Sequence, residues 1–212
     1  MDINKRRVFA IGAHPDDIEL GCGGAIVKHI ENGDSVFVLI LSNGEKGYHD
    51  VLGEECKSSL RLLGIPEENI FFGNLPDGFI SDNQNTVDII ESYIKKLRIT
   101  RIYTHFSNDR HQDHRNCSNA VSSAARRGVN EIFLFQGPST RVPFDAHYFI
   151  GLSKEHHEKK INALKCYKSQ IKKGTFNIHA IENISSYSGA QYDFSYAEAF
   201  AINHILLGEN EI

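Results

Sequence analysis

The sequence holds no apolar run long enough to cross a bilayer. Its longest, Val36 to Leu41, is strand-length, whereas a spanning helix takes ~20 apolar residues. Met1 to Gly12 also lacks the long apolar stretch of a signal peptide, with only Val8 to Ile11 apolar in succession. Cysteine is sparse: Cys22, Cys56, Cys117 and Cys166 lie far apart and form no CxxC pair. That spacing argues against a cysteine zinc site or a dithiol redox motif, and leaves buried reduced thiols in a cytoplasmic protein as the expectation. Basic residues are not in excess. The formal net charge is -4, Lys and Arg are scattered, and Lys5-Arg6-Arg7 reads as a solvated strand entry, so no nucleic-acid partner is expected. There is no G-x-S-x-G nucleophile elbow, which sets aside a serine hydrolase.

What is present suits one globular core. A chain of 212 residues, 41% hydrophobic and 24% charged, is ample for one domain and short for two. Strand-like runs at Val8–Gly12, Ser35–Leu41, Ile70–Phe72, Arg101–Thr104 and Glu131–Phe135 alternate with helical segments at Gly21–Asn32, Val51–Leu63, Thr86–Leu97 and His114–Arg127. Val87, Ile90, Ile94 and Leu97 keep the spacing of one helix face, and Asn32-Gly33 is a helix stop. The rhythm predicts an α/β, Rossmann-like, doubly wound and mostly parallel sheet with helices on both faces, in a single domain. Residues 1–136 form its βα core. Residues 137–212 are a C-terminal elaboration: a strand at Asp145–Leu152, a helix at Lys154–Ser169, an irregular Thr175–Tyr192 and a closing helix at Ala197–Leu207.

In the strand order 3-2-1-4-5 the first and fourth strands are neighbours where the chain reverses direction across the sheet, and ligands bind in that crevice. The segments leaving those strands are His14-Pro15-Asp16-Asp17 and His105 through His114. Either aspartate alone could merely N-cap the next helix. Adjacent carboxylates beside a histidine in a half-dry crevice instead invite a cation. In Asp109-Arg110-His111-Gln112-Asp113-His114, one of the histidines can complete a two-His, one-carboxylate site. A catalytic zinc takes three protein ligands, leaves a position for water, and lowers that water's pKa from ~15.7 towards ~7. The spare carboxylate can take the proton, the other histidine can donate to an oxyanion or leaving amine, and Asp113 can orient one histidine.

These residues resemble the PIG-L/LmbE-type zinc de-N-acetylases. The resemblance rests on Ile11-Gly12-Ala13-His14-Pro15-Asp16-Asp17 with the turn Gly21-Cys22-Gly23-Gly24, and on His111-Gln112-Asp113-His114. It continues through Gly44-Glu45-Lys46-Gly47, Leu75-Pro76-Asp77-Gly78, Lys165–Gln170 and Tyr196-Ala197-Glu198-Ala199-Phe200. It implies a zinc-dependent hydrolase that removes the acetyl group of an N-acetylglucosamine-type conjugate. His14, Asp17 and His114 would hold the metal, with Fe(II) or Co(II) as alternatives to zinc. Asp16 would be the general base, and His111 the oxyanion donor and acid, supported by Asp113. Asp77 would contact a sugar hydroxyl. Leu52 stands where many members carry a sugar-binding arginine, which leaves the sugar open. The expected partner is a small amino-sugar, with no nucleic acid and no membrane; a homo-oligomer stays open.

Competing readings are a non-catalytic sugar-binding protein on the same fold and a metallo-β-lactamase-like hydrolase. The latter's H-x-H-x-D-H signature is broken at Asp109. Gly21-Cys22-Gly23-Gly24 does not have dinucleotide-binding spacing. His29, His49, His147, His156, His157, His179 and His204 read as surface or satisfied core residues, with His147 the least secure.

Overall fold

The computed structural model describes residues 5–44 and 49–207; Glu45, Lys46 and Gly47 of the motif that starts at Gly44 lie outside them. The core alternates as expected: β1 (Arg7–Gly12), α1 (Asp17–Glu31), β2 (Ser35–Ser42), α2 (His49–Leu62), β3 (Ile70–Leu75), α3 (Gln84–Leu97), β4 (Arg101–His105), α4 (Gln112–Ala124) and β5 (Glu131–Phe135). After it come β6 (Tyr148–Leu152), α5 (Lys154–Leu164), α6 (Lys168–Lys173), α7 (Ile178–Ala190) and β7 (Tyr196–Ile205). All seven strands join one sheet in the order β3-β2-β1-β4-β5-β7-β6. β1 to β5 run parallel, and β7 is antiparallel to both its neighbours.

Alternate strand residues point to opposite faces, and here both faces are apolar. Val8, Ala10, Val36, Val38 and Ile40 pack on one side with Ile26, Leu60 and Leu164 from α1, α2 and α5. Phe9, Ile11, Phe37 and Leu39 pack on the other with Ile90 and Ile94 of α3 and Val121 of α4. Two helical layers therefore follow from two apolar faces.

Three features of the last third differ from the sequence expectation. Ala197–Leu207, expected as a helix, is strand β7, inserted between β5 and β6. Its Ala-rich start favours a helix locally, but Phe200 is fully buried against Tyr103 and Phe133, and that packing overrides propensity. Thr175–Tyr192, expected to be irregular, contains α7, whose Asn177 side chain accepts from the backbone N–H of His179 and Ala180. Lys154–Ser169 is two helices, because the chain breaks at Lys165–Tyr167.

The glycine-rich turn is a packing device. A Cβ on Gly21 would lie 2.2 Å from the Phe135 ring and one on Gly24 2.4 Å from Leu152. α1 itself is broken at Cys22, with φ -145 and ψ 19. The freed groups find partners: the Gly24 and Ala25 N–H donate to the Glu198 carboxylate at 2.9 and 2.7 Å. Lys160 Nζ donates to the Leu20 carbonyl at 2.9 Å and to Glu198 at 2.6 Å.

Candidate active site

β1 and β4 lie side by side, with Val8 to Ala10 opposite Arg101 to Tyr103. The chain leaves them in opposite directions across the sheet, which opens a crevice at their carboxyl ends. His14, Asp16, Asp17, Asp77, His111 and His114 all line one cavity of about 350 Å³ there. Asp113 is fully buried behind its wall.

Asp16 sits just before α1 with φ 93, a conformation non-glycine residues rarely adopt, and its side chain caps nothing. Its carboxylate is thus not spent on the helix. Burial, then the charges of Asp17 and Glu19, push its pKa well above the ordinary carboxyl value. Asp17 is built differently. One oxygen accepts the His14 N–H at 2.7 Å and lies 3.1 Å from His105 Nε2, while the other lies 3.4 Å from His114 Nε2. Burial alone would raise its pKa, but His114, His105 and His14 hold it far below the usual range.

The second segment fixes its imidazoles by their hydrogen bonds. His111 caps α4: its Nδ1 accepts the Asp113 N–H at 3.2 Å, so the neutral ring carries its proton on Nε2. Burial, with the nearby His14 and His114, lowers its pKa and favours that neutral form. His114 is held in the opposite sense. Its Nδ1 faces Asp109 at 3.5 Å and the Ser139 hydroxyl at 3.2 Å, and its Nε2 faces Asp17. This is the carboxylate–histidine pairing that fixes a metal ligand's tautomer. Asp109 itself is fully buried and accepts from Ser139 Oγ at 2.6 Å, Thr140 Oγ1 at 2.9 Å and the His111 N–H at 2.8 Å.

The Asp113 carboxylate faces His14 rather than His111. One oxygen lies 3.1 Å from His14 Nε2 and accepts the Gly78 N–H at 2.7 Å, while the other is buried without a partner. Asp77 lies 3.2 Å from the same His14 nitrogen. Burial opposes charging of His14, but the hydrogen bonds of Asp113 and Asp77 and the charge of Asp17 raise its pKa to about 10. So much negative charge around one imidazole, with an orphaned carboxylate oxygen, calls for a cation. His14, His111 and His114 offer ligand atoms within 4.8 Å of one another; so do Asp17, His105 and His114, and also His14, Asp77 and Asp113. A mixed imidazole and carboxylate set fits a zinc-like divalent ion.

Two residues given no role from sequence belong to this site. His105 ends β4, accepts the Ala13 N–H at 3.2 Å and stacks on His114 with centroids 4.0 Å apart. Asp109 anchors His114. The signal for each was only its place in the segment leaving β4. Of the histidines set aside, His29, His147, His156, His157, His179 and His204 do not line the cavity, and the His49 side chain lies outside the described residues. Among them, the buried His157 stacks on Tyr196 with neither ring nitrogen partnered, so it is not a satisfied core residue. Leu52 does line the cavity, where the arginine would stand.

The family model for GlcNAc-PI de-N-acetylase (PIG-L) matches residues 9–125, and the chain belongs to the PIG-L family. It is 32% identical over 174 residues to an uncharacterised deacetylase, YaiS, of Escherichia coli K12, covering 78% of this chain and 93% of that one. It is 27% identical over 220 residues to the diacetylchitobiose deacetylase of Thermococcus kodakarensis, covering 91% and 81% of the two chains. The crystal structure of GalB, the 4-carboxy-2-hydroxymuconate hydratase of Pseudomonas putida KT2440, superposes with a TM-score of 0.81 over 97% of this chain and 99% of that one. At 18% identity it shares the fold. Among the described residues, no helix is long and apolar enough to cross a membrane.

Proposed function

We propose that this protein is a divalent-metal-dependent de-N-acetylase that hydrolyses the acetamide of an N-acetylglucosamine-type sugar to acetate and a free amine. His14, Asp17 and His114 would hold a zinc-type ion, which when bound supplies an electrophile and acidifies water towards neutral pH. Asp16 takes the proton of the attacking water, because its side chain lines the cavity beside the ligand residues and caps no helix N–H. His111, with its proton on Nε2, donates a hydrogen bond to the oxyanion, and the proton that Asp16 took from the water passes to the departing amine. Asp113 steadies His14 and, through its own N–H, the tautomer of His111. Asp77 contacts a sugar hydroxyl.

The observation that carries this reading is Asp16: a buried carboxylate, in a costly backbone conformation and uncommitted to the helix, beside a ligand cluster. A sugar-binding protein needs no such base. Family membership supports the reaction class, and the acetylated sugars of its named relatives support the substrate class. The shared fold with a hydratase makes acetate release, not substrate consumption, the decisive measurement.

Asp16→Asn should keep the bound metal and lose about 100-fold or more in acetate release from N-acetylglucosamine conjugates. Near-parental turnover would remove Asp16 as the base. His114→Ala should lose the metal; parental metal content by elemental analysis would remove His114 from the ligand set.

A further inference from the structure

A second cavity, of about 440 Å³, adjoins the catalytic one and shares with it the walls Leu20, Pro138, Thr175 and Phe176. Both volumes are typical of small-molecule sites. The second chamber lies between α7 and the start of β7, in the part of the chain that the mechanism leaves unused. Its α7 wall is apolar: Ala180, Ile181 and Ile184 face it, and Ile184 is 49% exposed. Ser185 and Ser188 complete that helix face and are buried.

The charge of this chamber is as informative as its shape. Among the described residues, its only charged lining groups are Lys160 and Glu198, and they are bonded to each other at 2.6 Å. Both are spent on the break in α1, where Glu198 accepts two backbone N–H groups and Lys160 meets the Leu20 carbonyl. The chamber therefore offers no free charge to a phosphate or a carboxylate. A ligand seated at the catalytic pocket and extending over Phe176 and Leu20 would place an uncharged apolar group against α7.

We infer that this chamber binds the group attached to the amino-sugar, and that this group is uncharged and largely apolar. The inference rests on the deacetylase reading for the sugar end only. It predicts a conjugate as substrate, not the free sugar, a sugar phosphate or a nucleotide-linked sugar.

The test compares acetate release from methyl, phenyl and 1-phosphate derivatives of N-acetylglucosamine, with both anomers of each glycoside. The phenyl glycoside should exceed the methyl glycoside by about tenfold in kcat/KM, mainly through KM, since burying one ring adds about that much binding. The phosphate should gain nothing over methyl. Ala180→Phe, which fills the chamber, and Ile184→Asp, which charges it, should bring the phenyl-to-methyl ratio near one. Tyr187→Ser, on an exposed residue of α7 outside the lining, should keep it. A parental ratio near one, or a ratio that survives both chamber variants, overturns the inference. So does a change of molecular mass by light scattering in those variants without a change of ratio, which would assign the face to a second copy of the chain. If no derivative yields acetate, the deacetylase reading fails. Calorimetric binding of phenyl against methyl glycoside then decides the chamber alone, and equal affinity overturns it.

Discussion

At the scale of single residues, the site works by giving similar side chains different neighbours. His111 and His114 lie on one turn of chain with rings stacked at 4.7 Å, yet one accepts at Nδ1 and the other faces a carboxylate there. That difference makes His111 a donor towards the cavity and leaves the Nε2 lone pair of His114 for a metal. Asp109 is the residue on which the second assignment depends. Asp109→Asn should therefore weaken metal affinity about 10- to 100-fold, with turnover at saturating metal falling much less. Unchanged affinity in a chelator competition assay would show that Asp109 only ties the Ser139-Thr140 loop. The motif residues were legible because their types and spacing are specific. Asp109 and His105 were not, since a buried carboxylate and a strand-end imidazole declare their partners only through tertiary contacts. Asp113 was read as a partner of His111, its neighbour in sequence, whereas its carboxylate crosses to His14.

Among elements, the legible part was the one in which local pattern and packing agree. The first five strands and four helices fall where hydrophobic period and turn residues put them, within a few residues at each end. α7 and β7 were misread because there they disagree: α7 is serine-rich, and β7 begins with alanines that favour a helix. The sheet needed a strand between β5 and β6, and burial of Phe200 decided the outcome. β7 in turn holds α1 together, because Glu198 supplies acceptors for the backbone N–H groups freed at Cys22. Glu198→Ala would leave those N–H donors without their acceptor and the Lys160 ammonium buried with the Leu20 carbonyl but no counter-charge, a loss of about 3–5 kcal/mol. Glu198→Gln retains oxygen for one of them and should cost less. A urea-unfolding loss below about 1 kcal/mol for Glu198→Ala would show that water replaces the carboxylate.

The whole molecule has two polar ends. At the carboxyl ends of β1 and β4 lies the catalytic crevice. At their other ends Arg101 donates to Glu131 at 2.6 Å, Arg6 lies 3.7 Å from the same carboxylate, and Arg101 also reaches the Tyr103 hydroxyl at 3.3 Å. Among the described residues, none of this far cluster lines the crevice, so its effects should appear in stability without appearing in turnover. Burial works to raise the Glu131 pKa, but the Arg101 hydrogen bond and charge, with Arg6, outweigh it and hold it below the ordinary value. A carboxyl held low in the folded state adds stability that is present above its unfolded pKa and lost as pH falls through the folded one. Glu131→Gln should therefore destabilise the protein by about 1 kcal/mol near pH 7, and the deficit should shrink as pH falls below about 4. Urea unfolding of both proteins across that range reads it directly. A deficit that stays constant into acid would mean that Glu131 contributes by packing beside β4, and that its charge adds nothing to the fold.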